Sequence, residues 1–171
     1  IEVEFTDKNP RFKHFDAVIA TGPSYILPRL APDLPKEYLS KLTNVHYMAA
    51  VLIVLVLDRP LSHVYWLNVA DRSIPFVGVI EQTNFIEAER YGGKHIVYLS
   101  NYLSTDHPLY KMTHAELLKE YLPHLKKINA EFDLSWISDS YHHRIDGAQP
   151  VIGVHYSSII PSHRTPHKGM Y

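Results

Sequence analysis

The chain has 171 residues, 46% hydrophobic and 20% charged, which is one globular domain of ordinary size, long enough to bury about 70% of its unfolded surface. With 17 basic against 18 acidic side chains and a net charge of -1, it carries no polybasic surface for nucleic acid. Zero cysteines exclude a disulfide scaffold, a thiolate nucleophile, a Cys-based zinc site and an iron–sulfur cluster.

Taken in chain order, Ile1–Phe5 and Phe15–Ala20 read as short strands separated by a polar Asp7-Lys8-Asn9-Pro10 turn. Thr21-Gly22-Pro23 ends the second strand. Prolines at 28, 32 and 35 then break the chain before a short helix over Lys36–Leu42. Met48–Leu57 is continuously apolar and rich in β-branched residues, the pattern of a strand buried on both faces. It is far shorter than the roughly 18 residues of a membrane span. Strands follow at Tyr65–Val69, Phe76–Phe85 and His95–Leu103, with Gly92-Gly93 in the long hairpin connection between the last two. Thr113 and Glu116 have capping-box spacing at the start of a helix whose stripe is Leu117, Leu118, Tyr121, Leu122, Leu125 and Ile128. Pro123 should kink or split it. A long strand over Trp136–Ile145 and a further one over Val151–Tyr156 complete the reading. The class is α+β, a mixed and largely antiparallel sheet with helices over one face.

Side-chain parity separates the two faces. Leu67, Val69, Val97, Leu99 and Leu103 share one side, which the 113–128 helix can cover. Trp66, Asn68, Ile96, Tyr98, Ser100 and Tyr102 share the other, a mixture of rings, amides and hydroxyls of the kind that lines ligand cavities. Twelve tyrosines and two tryptophans are more ring surface than a small domain has reason to expose.

Motifs for chemistry are few. Among 12 histidines, His142-His143 and His155 are the tightest group, with His163 and His167 further on. Adjacent strand residues point to opposite faces and no metal-ligand spacing occurs, so these read as surface or hydrogen-bonded histidines and no metal is expected. No nucleophile elbow, P-loop or G-x-G-x-x-G exists, and Ser157-Ser158 has no placeable partner. Glu81, at the polar end of an apolar strand, needs a partner or water, and Arg144 could supply it.

Several ordered stretches together resemble the flavin-dependent amine oxidase, phytoene desaturase and protoporphyrinogen oxidase superfamily. They are Phe15-Asp16-Ala17-Val18-Ile19-Ala20-Thr21-Gly22-Pro23, then Pro32-Asp33-Leu34-Pro35 with a Tyr-Leu-x-x-Leu helix. Pro75–Phe85, Tyr91–His95, Ala148-Gln149-Pro150 and Thr165-Pro166-x-x-Gly169-Met170-Tyr171 follow in order. The resemblance implies residues 1–23 as end strands of an FAD-binding domain, 24–160 as a substrate-binding domain and 161–171 as the return toward the FAD domain. It implies FAD in a full-length parent, touched here by Thr21, Gly22 and Pro23, and hydride transfer from a small-molecule substrate to the flavin. Trp66, Asn68, Tyr98 and Tyr102 would line the substrate cavity, with Glu81 or Asn84 as polar anchors. No residue of this segment is expected to be catalytic, and the segment alone is expected to be inactive and not to hold FAD. Its expected partners are the substrate and the remainder of its own FAD domain, without nucleic acid or a transmembrane segment, in the cytoplasm. The abrupt ends, strand-like from Ile1 and stopping at Lys168-Gly169-Met170-Tyr171, fit a piece of a longer protein. The competing readings are a stand-alone α+β ligand- or protein-binding module and, less favoured, a histidine-based metal hydrolase.

Overall fold

A computed structural model describes residues 1–6 and 11–171; the expected turn at Asp7-Lys8-Asn9-Pro10 lies outside the described residues. The chain forms two compact units, one of Ile1–His46 with Pro150–Tyr171 and one of Tyr47–Gln149. Both domain borders expected from the sequence, after residues 23 and 160, fall inside the first of these.

In the first unit, β1 (Glu2–Phe5) pairs antiparallel with β2 (Arg11–His14), and the Arg11 guanidinium lies 5.3 Å from the centre of the Phe5 ring. No strand forms over Phe15–Ala20. Only Val18 makes a bridge, parallel, and its partner is Met170 near the other end of the chain. Val18 N–H donates to Gly169 O at 2.9 Å, Tyr171 N–H to Val18 O at 2.9 Å and Ala20 N–H to Tyr171 O at 2.7 Å. Gly169 has φ +86°, and a Cβ there would stand 3.1 Å from Asp16 O, so the close approach needs glycine.

A helix runs over Lys36–Thr43 behind Pro35, with Glu37 in its first turn and Lys41 in its last, each suited to the dipole end it occupies. It buries Leu42 in a small core with Leu27, Leu34 and Met170. The strand expected over Val151–Tyr156 is absent. Val151 N–H donates to His46 O at 2.8 Å, but His155 takes a left-handed φ of 58° and Tyr156–Ile159 closes one helical turn. A left-handed residue cannot continue an extended ladder.

The second unit is built on β3 (Tyr47–Leu57), β4 (Trp66–Asn68), β5 (Gly78–Glu81), β6 (His95–Leu103) and β7 (Ile137–Pro150), in the order β4-β5-β6-β3-β7. The β4–β5, β5–β6 and β6–β3 ladders are antiparallel. Their register aligns Leu67, Val79, Leu99 and Ile53 across one face. With Val51, Leu55, Leu57 and Val97 they join Leu117, Tyr121 and Leu125 in the core. β3 departs from expectation: Val51, Ile53, Leu55 and Leu57 are enclosed, whereas Leu52, Val54 and Val56 are only half-buried, so one face alone is sealed.

The covering helix spans His114–Tyr121. Thr113 N–H donates to the Glu116 carboxylate at 2.8 Å and Glu116 N–H donates to Thr113 Oγ1 at 3.4 Å, which completes the capping box. At Pro123 the α-helix gives way to a tighter 3₁₀ stretch over Leu122–Lys127, because proline offers no N–H to the ladder. Thr113→Ala should cost about 1 kcal/mol, read as a lower urea midpoint, while Glu116→Gln, which keeps an acceptor, should lose less. Among the described residues, no helix is long and apolar enough to cross a membrane.

Candidate functional site

The face of the five-stranded sheet turned away from the His114–Tyr121 helix is the candidate site. Strand pairing aligns Trp66, Ile80, Tyr98 and Val54 in one row and Asn68, Gly78, Ser100 and Leu52 in the next. Tyr102, opposite Ala50, extends the patch along β6. Trp66 is 53% exposed, and its Nε1–H donates to Asn68 Oδ1 at 3.0 Å, which fixes the two side chains and leaves the Asn68 NH₂ without an acceptor among the described residues. Gly78 keeps the second row low: a Cβ there would stand 2.8 Å from Ser100 Oγ.

Two further ring groups border this patch, of which the sequence marked only His143, and that among the histidines weighed for a metal. Tyr65 packs 5.1 Å from Phe85 and 6.4 Å from Trp66, which makes an aromatic edge beside β4. On β7, Ser140, His142, Arg144 and Asp146 meet groups of the helical layer, so Tyr141, His143 and Ile145 take the open face. Tyr141 O–H donates to Asp139 Oδ2 at 2.6 Å. That bond holds the Asp139 carboxyl below the usual carboxylate range and raises the Tyr141 phenol. The alternation of Tyr141, His143 and Ile145 was the available signal for these residues.

Glu81 and Asn84 take other positions. Glu81 shares its parity with Val79 on the helix-covered face and is fully enclosed. Its Oε1 accepts from Leu61 N–H at 3.0 Å, and its Oε2 accepts from Ser62 N–H at 2.7 Å and Ser62 O–H at 3.1 Å. His95 Nδ1 lies 3.9 Å from Oε1. Arg144 is not the partner of Glu81. Its Nη1–H donates to Tyr110 O at 3.3 Å, while the Tyr110 hydroxyl donates to Asp146. Asn84 lies past the end of β5 in a 3₁₀ turn, exposed, with Nδ2–H donating to Ser62 O and Val64 O at 3.1 Å each.

Of the histidines, His142 has Nε2 buried without a hydrogen-bond partner among the described residues, its ring 6.1 Å from that of His114. Among the described residues, no three metal-ligating side chains converge. Burial, and then the Arg144, His114 and His143 charges, hold His142 below its ordinary pKa of 6.5. The unfolded chain therefore binds this proton more readily, and stability rises with pH through that window. The thermal midpoint should be highest above about pH 7 and fall as the pH drops below 6.5. The slope should shrink in His142→Leu; an unchanged slope would show that other groups carry it.

In the first unit, Thr21 and Gly22 are exposed at the carboxyl end of the bridged Val18–Ala20 segment, and a Cβ on Gly22 would meet nothing within 4 Å. Ligands of α/β proteins approach the carboxyl ends of parallel strands. The 171 residues contain no glycine-rich phosphate loop.

These features define an α+β protein with one sheet face sealed by helices and the other lined by rings and amides. The chain belongs to the flavin containing amine oxidoreductase family, which it matches over residues 1–171. Comparison with curated proteins gives no match. Among solved structures, a protein provisionally named a protoporphyrinogen oxidase, from Exiguobacterium sp. 255-15, aligns with a TM-score of 0.61 at 16% identity, over 92% of this chain and 34% of that one. A reduced UDP-galactopyranose mutase gives 0.60 at 19%, over 91% of this chain and 34% of its own. An oxidoreductase from Methanosarcina mazei gives 0.61 at 21%, over 94% and 38%. At such identities the likeness is one of fold, and the chain spans about a third of the length of these structures.

Proposed function

We propose that this chain is the substrate-binding segment of an FAD-dependent oxidoreductase that transfers a hydride from a small-molecule substrate to the flavin. The observation that carries this reading is the Trp66–Ile80–Tyr98 row on the open sheet face, in a chain whose whole length matches a flavoenzyme family. When bound, the flavin supplies the hydride acceptor; the protein contributes shape, orientation and a dry surface. Trp66, Tyr98 and Tyr102 give a substrate flat contact area, and the Asn68 NH₂ fixes its orientation. Asn84, exposed beyond β5, stands at the rim of this surface. Glu81 is left out of the assignment because its carboxylate is enclosed on the other face. Thr21, Gly22 and Pro23 would border the cofactor. The segment alone lacks the phosphate-binding loop, so it holds no FAD and turns nothing over.

A visible absorbance spectrum of the full-length parent, purified beside this chain, tests the reading. Flavin bands in the parent and a colourless chain are the expected outcome. A parent that stays colourless after FAD is added overturns it, and the open face then reads as a stand-alone binding surface. Flavin-linked oxidation by the 171 residues alone would overturn the predicted inactivity.

A further inference from the structure

We infer that the first unit carries a second binding site, for an organic anion with an apolar body. A cleft of about 670 Å³ opens there, the size of a small-molecule site. All of its lining residues belong to that unit and none to the sheet rows described above. The Lys36–Thr43 helix supplies Tyr38 and Lys41, His46 follows it, and the segment after Val151 supplies Ile159, Ile160 and Arg164.

Three properties of this lining point to the ligand. First, its charged residues are cations: Lys41 and Arg164 line it, and among the described residues no aspartate or glutamate does. Lys41 meets Glu37 at 3.1 Å, but both side chains are largely exposed, and a solvated pair of this kind constrains Lys41 weakly. The backbone N–H of Arg164 donates to Ser162 Oγ at 3.1 Å, while its guanidinium has no partner among the described residues. An unpaired guanidinium offers a planar fork of donors that matches a carboxylate or sulfonate.

Second, the cations stand beside apolar wall. Ile159 and Ile160, 65% and 45% exposed, form that wall. A bare inorganic anion would use the cations and waste the wall; a neutral apolar molecule would do the reverse. Third, the cleft is shaped before a ligand arrives. Tyr38 O–H donates to Ser162 O at 2.8 Å and ties the helix to the opposite wall, and Thr165 O–H is held by Met170 O at 2.9 Å. Preorganisation of this kind lowers the ordering cost of binding.

The test is calorimetric titration of the full-length protein with naphthalene-1-sulfonate and, separately, with neutral naphthalene-1-methanol. The sulfonate should bind at least about tenfold tighter, the worth of one charge-assisted contact. Arg164→Gln should remove most of that preference and Arg164→Lys should retain part of it. If Arg164→Gln alters the melting profile, Lys41→Gln on the exposed helix surface takes its place, and the same loss is required of it. Absent sulfonate binding, equal binding of the two probes, or a preference unchanged in the variant overturns the inference. The readout does not involve flavin, so its failure and that of the oxidoreductase reading are separable.

Discussion

A Glu81→Ala chain should unfold at markedly lower urea, with a loss of about 3 kcal/mol or more. The carboxylate is fully enclosed and accepts three hydrogen bonds, from Leu61 N–H, Ser62 N–H and Ser62 O–H. Those donors begin the turn that carries the chain from β3 into β4, where Asn84 also donates to Ser62 O and Val64 O. Truncation strands two backbone N–H groups in a space too tight to hydrate them freely, and an unmade bond there costs the full desolvation of the donor. Glu81→Gln separates charge from geometry. One of its two terminal atoms becomes an NH₂ and must face either Leu61 N–H or the Ser62 pair, so more than half of the loss should remain. Far-UV circular dichroism against urea reads both variants. A shift worth less than about 1 kcal/mol in both would mean that this turn does not depend on the carboxylate.

The second large effect sets the two faces of the sheet against each other. Phe76 is 1% exposed, in edge-to-face contact with Tyr121 at 5.1 Å, among Leu117, Leu125 and the inward residues of β3 and β6. Phe76→Ala should cost about 3–5 kcal/mol, because the surrounding side chains cannot collapse fully into the space left. Trp66→Ala removes a larger ring from the open face, where more than half of it already meets water, and should move stability by no more than about 1 kcal/mol. On the proposed oxidoreductase reading, the same change in the full-length protein should raise KM several-fold at nearly constant kcat, since the ring would supply contact area rather than reacting atoms. Matched stability losses for the two variants would contradict this division of the sheet.

What the sequence disclosed depended on where each residue's partner lies. His95–Leu103 alternates cleanly and forms a strand with those bounds, and the Thr113–Glu116 box starts its helix as spaced. Both signals are local. Phe15–Ala20 has the composition of a strand but finds a ladder partner only in Met170, so its structure is decided by residues at the far end of the chain. β2 was unreadable for the opposite reason: Arg11–His14 exposes every side chain and carries no alternation at all. The open face was legible because Trp66, Asn68, Tyr98 and Tyr102 keep strict parity, and parity is what register preserves. The same rule places Glu81 with Val79 on the sealed face. Arg144 could not be paired correctly from sequence, since its acceptor is a backbone carbonyl, that of Tyr110, which no pattern of side chains marks.

The hydrogen bond between Val151 N–H and His46 O joins the residue just before β3 to the residue just after β7. The chain thus leaves the first unit and comes back to it at a single point, as a loop does, however long the excursion. A module attached in this way can be lengthened, exchanged or redesigned without repositioning either stretch of backbone that holds it. Insertions or exchanges confined to the stretch between those two residues leave the hydrogen bond that closes the loop in place.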